Sequence, residues 1–120
     1  MHKFQMILRN KKRNFKTKSR ICYTPQSQAK GLMFSKKLEQ NKSILIKFSK
    51  EKNIPIHMFF VFFPIDAVWI NKDYKIVHIE RNIKPFRPLI NPNKPSIAVL
   101  ETQKNATKNL KIGDKLTNNL

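Results

Sequence analysis

Residues 57–66 read HMFFVFFPID, a run of aromatic and apolar side chains from Met58 to Pro64 held between His57 and Asp66. The wider apolar strip, Ile54 to Ile70, is 17 residues long and contains Pro55, His57, Pro64 and Asp66. A helix spanning a membrane needs about 20 mostly apolar residues and tolerates an unpaired acid poorly. The strip therefore reads as buried strands of a small globular domain. At 120 residues the chain is long enough for one core and too short for two.

Working outward, the same strand chemistry recurs at short intervals. Ile56–Phe63 is expected to be a strand covered on both faces or at a barrel corner, ended by Pro64. Ala67–Ile70 and Lys75–Ile79 read as a hairpin around the Asn71–Tyr74 turn. Ser43–Phe48 and Ile97–Glu101 are further strands, with SKEKN as a turn after the first, and Ile21–Tyr23 is a short one. Thr24 and Pro25 have the chemistry of a helix start, and Gly31 that of its end. Pro85, Pro88, Pro92 and Pro95 mark a surface loop. Residues 102–109 form a short helix or turn, and KIGDKL a closing turn into a last strand. The expected fold is mainly β (α+β), a small barrel-like domain over residues 21–120 with one or two short helices, preceded by a basic arm at 1–20.

The formal net charge is +18, from 25 Lys and Arg against seven Asp and Glu. Selection for Lys alone would normally raise Glu with it, so the one-sided excess points to a polyanionic partner that relieves self-repulsion. Nucleic acid is the first candidate and an anionic membrane surface the second. Two glycines, Gly31 and Gly113, exclude Gly-rich phosphate loops and dinucleotide fingerprints. The single cysteine, Cys22, excludes an internal disulfide. The apolar run Met6–Leu8 is shorter than a secretory signal requires, so a cytoplasmic location is expected.

Ala29-Lys30-Gly31-Leu32-Met33-Phe34, Met58, Pro64-Ile65-Asp66, Ile76-Val77, Val99-Leu100-Glu101 and Gly113-Asp114 occur in an order and spacing that resembles the domain of unknown function 192 family. The resemblance runs from about Ile21 to Leu116. It implies a compact, mainly β, barrel-like domain with one short helix, and no settled biochemical role. Where many members carry Trp-Met-Lys-Asn-Thr, this chain has His57 to Val61. Where many have Gly after the Leu-Glu pair, it has Asn105, which also tolerates left-handed backbone.

Asp66 and Glu101 are acids inside apolar strands. With His57 they form a possible site for a small polyol- or sugar-like ligand or for acid–base chemistry; the preferred reading has each carboxylate accepting backbone amides. His57 and His78 lack metal-ligand spacing, and no metal or cofactor is expected. The Phe run is read as core, because no basic residue lies between Lys52 and Lys72 to make it a base-stacking platform. The basic groups expected at phosphates are Lys3, Arg9, Lys11, Lys12, Arg13, Lys16, Lys18 and Arg20 in the arm. To these are added Lys30, Lys36, Lys37 and Lys42 around the helix end, and Lys84 and Arg87 in the Pro-rich loop. The function expected is non-enzymatic recognition of structured RNA through its backbone, in association with the ribosome and without reading of sequence.

Overall fold

Residues 5–119 are described by the computed structural model. They form strands β1 (Gln5–Asn10), β2 (Phe15–Cys22), β3 (Lys42–Lys52), β4 (Ile65–Ile70), β5 (Ile76–Ile83), β6 (Ser96–Gln103) and β7 (Thr117–Asn119), with one helix, α1 (Pro25–Lys30), between β2 and β3. The strands make one sheet in the order β5-β4-β6-β3-β2-β1-β7. All neighbours are antiparallel except β2 and β3, which run parallel through the α1 crossover. The fold is mainly β, as the sequence predicts.

β4 is buried along its whole length because both faces of the sheet are covered. Ile65, Ala67 and Trp69 join Cys22, Ile44, Ile46 and Val99 in one apolar cluster under α1 and the 54–63 segment. Val68 and Ile70 join Met6, Leu8, Phe15, Leu45, Leu100 and Leu116 in a second, inside the curl of the sheet. The Trp69 indole N–H donates to the Ile54 carbonyl at 2.7 Å, fixing the 54–63 segment to β4. The curl does not close as a ladder between β5 and β7. The C-terminal segment bridges the gap instead: Gly113 N–H donates to Ile76 C=O, Ile76 N–H to Asp114 C=O and Leu116 N–H to Tyr74 C=O, each at 2.8 Å. Gly113, at φ 94, supplies the turn that allows this.

α1 is short but fully capped. Thr24 Oγ1 accepts from Ser27 N–H and Ser27 Oγ accepts from Thr24 N–H, each at 3.1 Å, and Pro25 stands in the first turn. Gln28 Nε2 donates to the Lys47 carbonyl at 2.7 Å and pins the helix to β3. Asn105 adopts φ 72, the left-handed geometry that its residue type tolerates.

Two segments differ from the sequence expectation. The basic block at 5–20 is not a separate arm: it is the β1–β2 hairpin of the same sheet. Leu8 is fully buried, and β2 lies between β1 and β3. Its inward positions include Thr17 and Ser19, whose hydroxyls bond the Ser43 hydroxyl, so the apolar alternation of a strand is missing from the sequence although the hairpin is embedded. Residues 56–63 are not a strand either. Only Ile56 makes a bridge, to Ile90, and the chain turns at Phe59–Phe60. The partner segment carries Pro85 and Pro88, which have no N–H to donate, so pairing stops at Ile56–Ile90 and Met58–Phe86/Arg87. β3 also extends through the residues read as a turn after Phe48. Among the described residues, no helix is long and apolar enough to cross a membrane.

Leu8→Ala separates an embedded hairpin from a mobile arm. It is expected to lower unfolding free energy by about 2–5 kcal/mol in urea titrations, whereas truncation in an arm would leave the midpoint unchanged.

Candidate functional site

Asp66 lies in β4, fully buried, and every bond it makes is internal. Oδ1 accepts from Asn82 N–H at 2.9 Å; Oδ2 accepts from the Thr107 hydroxyl at 2.6 Å and from Thr107 N–H at 3.3 Å. The carboxylate thus ties β5 and the 104–109 turns to β4, as the backbone-satisfying reading expects.

Glu101, on β6, behaves differently. It is 4% exposed, and no side-chain hydrogen bond to it is formed among the described residues. It faces a depression of about 300 Å³ whose other walls are the α1 end with Gly31, Ile46 and Phe48 of β3, and the 54–57 segment with His57. Burial pushes its carboxyl up to about 7. His57 is half-buried, its Nδ1 accepting from Phe59 N–H at 3.1 Å, which leaves Nε2 to carry the proton in the neutral ring. The structure therefore brings His57 and Glu101 to one depression and leaves Asp66 out of it. Cys22 is fully buried; burial raises its thiol, against the opposing effect of Arg20. No cluster of three or more His, Cys, Asp and Glu suited to a metal occurs among the described residues.

The basic residues form a more extended feature. Along β2, Lys16 and Lys18 point outward, alternating with Phe15, Thr17 and Ser19. They contribute to three surface depressions that share residues. The first, at the hairpin tip, holds Arg9, Lys11 and Lys16. The second, about 340 Å³, holds Lys16, Lys42, Lys104 and Lys108 with several Asn and Gln amides. The third, about 240 Å³, holds Lys18, Arg20, Lys36 and Lys42. Lys16 joins the first to the second and Lys42 the second to the third, and none of the three has an acid in its lining. Glu39 lies beside this track, 3.6 Å from Lys42 in an exposed ion pair.

The predicted basic set is partly redistributed. Lys3 lies outside the described residues. Arg13 is committed to Asp114, with Nε at 2.8 Å and Nη2 at 3.0 Å; this pair anchors the hairpin turn to the C-terminal segment and holds the Asp114 carboxyl below its ordinary value. Arg20 is half-buried, with Nη1 3.5 Å from the Cys22 sulfur. Lys30 lines the Glu101 depression. Lys12 and Lys37 are exposed outside the three linings, and Lys84 and Arg87 lie on the Pro-rich loop, Arg87 3.7 Å from Glu80. Lys104 and Lys108 are additions; their signal was two lysines among amides in residues 102–109, a segment whose position beside β2 is a tertiary fact.

The sequence profile of domain of unknown function 192, described as "Uncharacterized ACR", matches residues 6–118, hairpin included. No curated protein matches the chain. Two crystal structures share the fold. A candidate transcription regulator from Sinorhizobium meliloti 1021 superposes with a TM-score of 0.88 at 22% identity, over 98% of this chain and 94% of that one. A protein of unknown function from Novosphingobium aromaticivorans DSM 12444 gives 0.86 at 22% identity, over 96% and 84%. At this identity the likeness concerns the fold alone.

The raised carboxyl makes a signed prediction. A group protonated more readily in the folded state adds stability below its ordinary value of 4.5 and loses it as pH rises through about 7. Across that window the Glu101 contribution is expected to decline by roughly 3 kcal/mol. Glu101→Gln should flatten this part of the stability–pH curve, read from thermal melts between pH 4 and 8; equal slopes in both proteins contradict the assignment.

Proposed function

The chain belongs to the domain of unknown function 192 family, and from the charged surface of this fold we propose that it is a non-enzymatic RNA-binding protein of the cytoplasm that contacts phosphates along the hairpin. The observation that carries this reading is the joined set of depressions with lysine in every segment, arginine in two of them and no acid in any lining. Two of the seven acids, Asp66 and Glu101, are buried, and Asp114 is held by Arg13, so the outer surface carries little to offset the lysines. Lys presents a point charge with little discrimination between bases, which suits backbone contact with structured RNA. Binding releases counterions and so depends steeply on salt. A ribosomal site accommodates such a partner, since a small embedded core with a basic outer hairpin can settle among rRNA helices.

A second reading rests on Glu101. A nearly buried carboxylate facing a depression beside His57, with no side-chain hydrogen bond among the described residues, suits a small ligand that brings hydroxyl donors, such as a polyol or sugar. A thermal-shift screen of such compounds against the wild type and Glu101→Gln tests it: stabilisation confined to the wild type supports the site.

For the leading reading, Lys16, Lys18, Lys104 and Lys108 are replaced together by Gln. The slope of log K against log salt for structured RNA is expected to become shallower by about 3. Replacing Lys50, Lys72, Lys94 and Lys111, exposed residues outside the three depressions, removes the same charge and should change the slope much less. Equal slopes for the two variants would remove the track from its assigned role. Ribonuclease-sensitive co-sedimentation with ribosomal particles at moderate salt checks the ribosomal part.

A further inference from the structure

The Phe-rich segment presents a feature that the basic track does not use. Phe59, Phe60 and Phe62 are exposed, and the last two are gathered with Phe34 and Phe86 from other loops. The Phe34 and Phe60 rings stack with centroids 4.8 Å apart; Phe86 meets Phe60 edge-on at 5.8 Å and Phe62 edge-on at 5.1 Å. Phe34 is 67% exposed and Phe62 61%, while Phe60 and Phe86 are 44% and 43%. Phe34, Phe60 and Phe86 have φ values of 59, 57 and 65, in the left-handed region that bulky side chains rarely occupy. The backbone is fixed there by Phe34 N–H donating to Phe60 C=O and Phe86 N–H to Met58 C=O, each at 2.8 Å. Three loops thus converge to hold four rings outside the core.

The residues around the rings identify an occupant. Phe86 lies between Lys84 and Arg87, and Lys36 and Lys37 follow Phe34 closely in the chain. Ser35, Lys36 and Leu38 also wall the depression that holds Lys18, Arg20 and Lys42, so the rings begin where the basic track ends. A second copy of a chain with net charge +18 would oppose like charge across this patch. A strand of unpaired nucleotides brings phosphates for the lysines and flat base faces for the rings.

We infer that Phe34, Phe60, Phe62 and Phe86 form a stacking platform for unpaired bases of RNA, so that the protein binds where a paired segment opens into a single strand. This rests on the proposed RNA-binding role and adds to it a substrate class that phosphate contact alone does not select.

The test substitutes the two most exposed rings, Phe34→Ser with Phe62→Ser, neither of them in a buried cluster. Binding is measured to a short oligouridylate and to an RNA duplex of the same length. The double variant is expected to lose about 10- to 100-fold in affinity for the unpaired strand and to keep its affinity for the duplex and its salt slope. A 2-aminopurine placed in the strand should change its emission on binding the wild type and not the variant. Unchanged single-strand affinity, or equal loss for both RNAs, overturns the platform while leaving the phosphate track intact. A wild-type dimer dissolved by the substitutions, or capture by phosphatidylserine vesicles that the substitutions abolish, overturns it in favour of self-association or a lipid surface. A wild type that binds neither RNA overturns both readings.

Discussion

Alternation of side chains along β2 is the constraint on which the rest of the molecule depends. With a period of two, a strand that buries Phe15, Thr17 and Ser19 has to present Lys16 and Lys18 outward. Pairing with β1 on one side and β3 on the other fixes the register, Lys18 opposite Ile7 and Lys42, and a slip of one residue would bring the lysines inside. Charge display and core formation are therefore one structural event. The hairpin that supplies Leu8 to the interior also supplies three lysines and two arginines to the depressions around it. Arg13 and Asp114 secure its turn from the far side, joining residues close to opposite ends of the chain.

The fold was legible wherever apolar side chains mark the strand. Residues 65–70, 76–83 and 96–103 were identified to within a few positions, and so was the capped helix, because Thr24, Pro25 and Gly31 act locally. The hairpin was not legible as part of the domain. Ser19 and Thr17 point inward and satisfy one another through Ser43 on β3, so the inward row of β2 is polar on paper. A hydroxyl network between strands can be recognised only once the strands are paired. Asp66 could be read as an acid that satisfies backbone, but its partners, Asn82 and Thr107, could not be named from spacing. Nor could the divergence of Glu101 from Asp66, since it depends on the opening between α1 and β3.

The aromatic strip shows the opposite error. Continuous apolar sequence suggested a covered strand, yet backbone hydrogen bonding decides whether a strand forms. Facing a partner segment with Pro85 and Pro88, residues 56–63 pair briefly and turn. Met58, Val61 and Phe63 fall inward and Phe59, Phe60 and Phe62 outward. Basic residues are absent from this stretch of sequence, but they arrive in space on neighbouring loops, with Lys36 after Phe34 and with Lys84 and Arg87 around Phe86. Interleaving of charge and aromatic side chains is local around Phe34 and Phe86, and it reaches Phe60 and Phe62 only where the three loops converge.

The few acids complete the argument. Asp66 is satisfied inside the fold, Glu101 is buried and shifted toward its neutral form, and Asp114 is paired with Arg13. The first two are withdrawn from the surface, and the third is occupied in neutralising Arg13, outside the linings of the track. What remains outside is concentrated away from the linings of the track: Glu51 accepts from Lys72 N–H, and Glu80 contacts His78 and Arg87. Only the Glu39–Lys42 pair borders the track, and it is exposed and i,i+3, a contact worth a few tenths of a kcal/mol that a phosphate can displace. The uneven placement of seven acids, more than the number of lysines, gives the hairpin face its one-signed character and makes that face the place where a polyanion would meet least opposition.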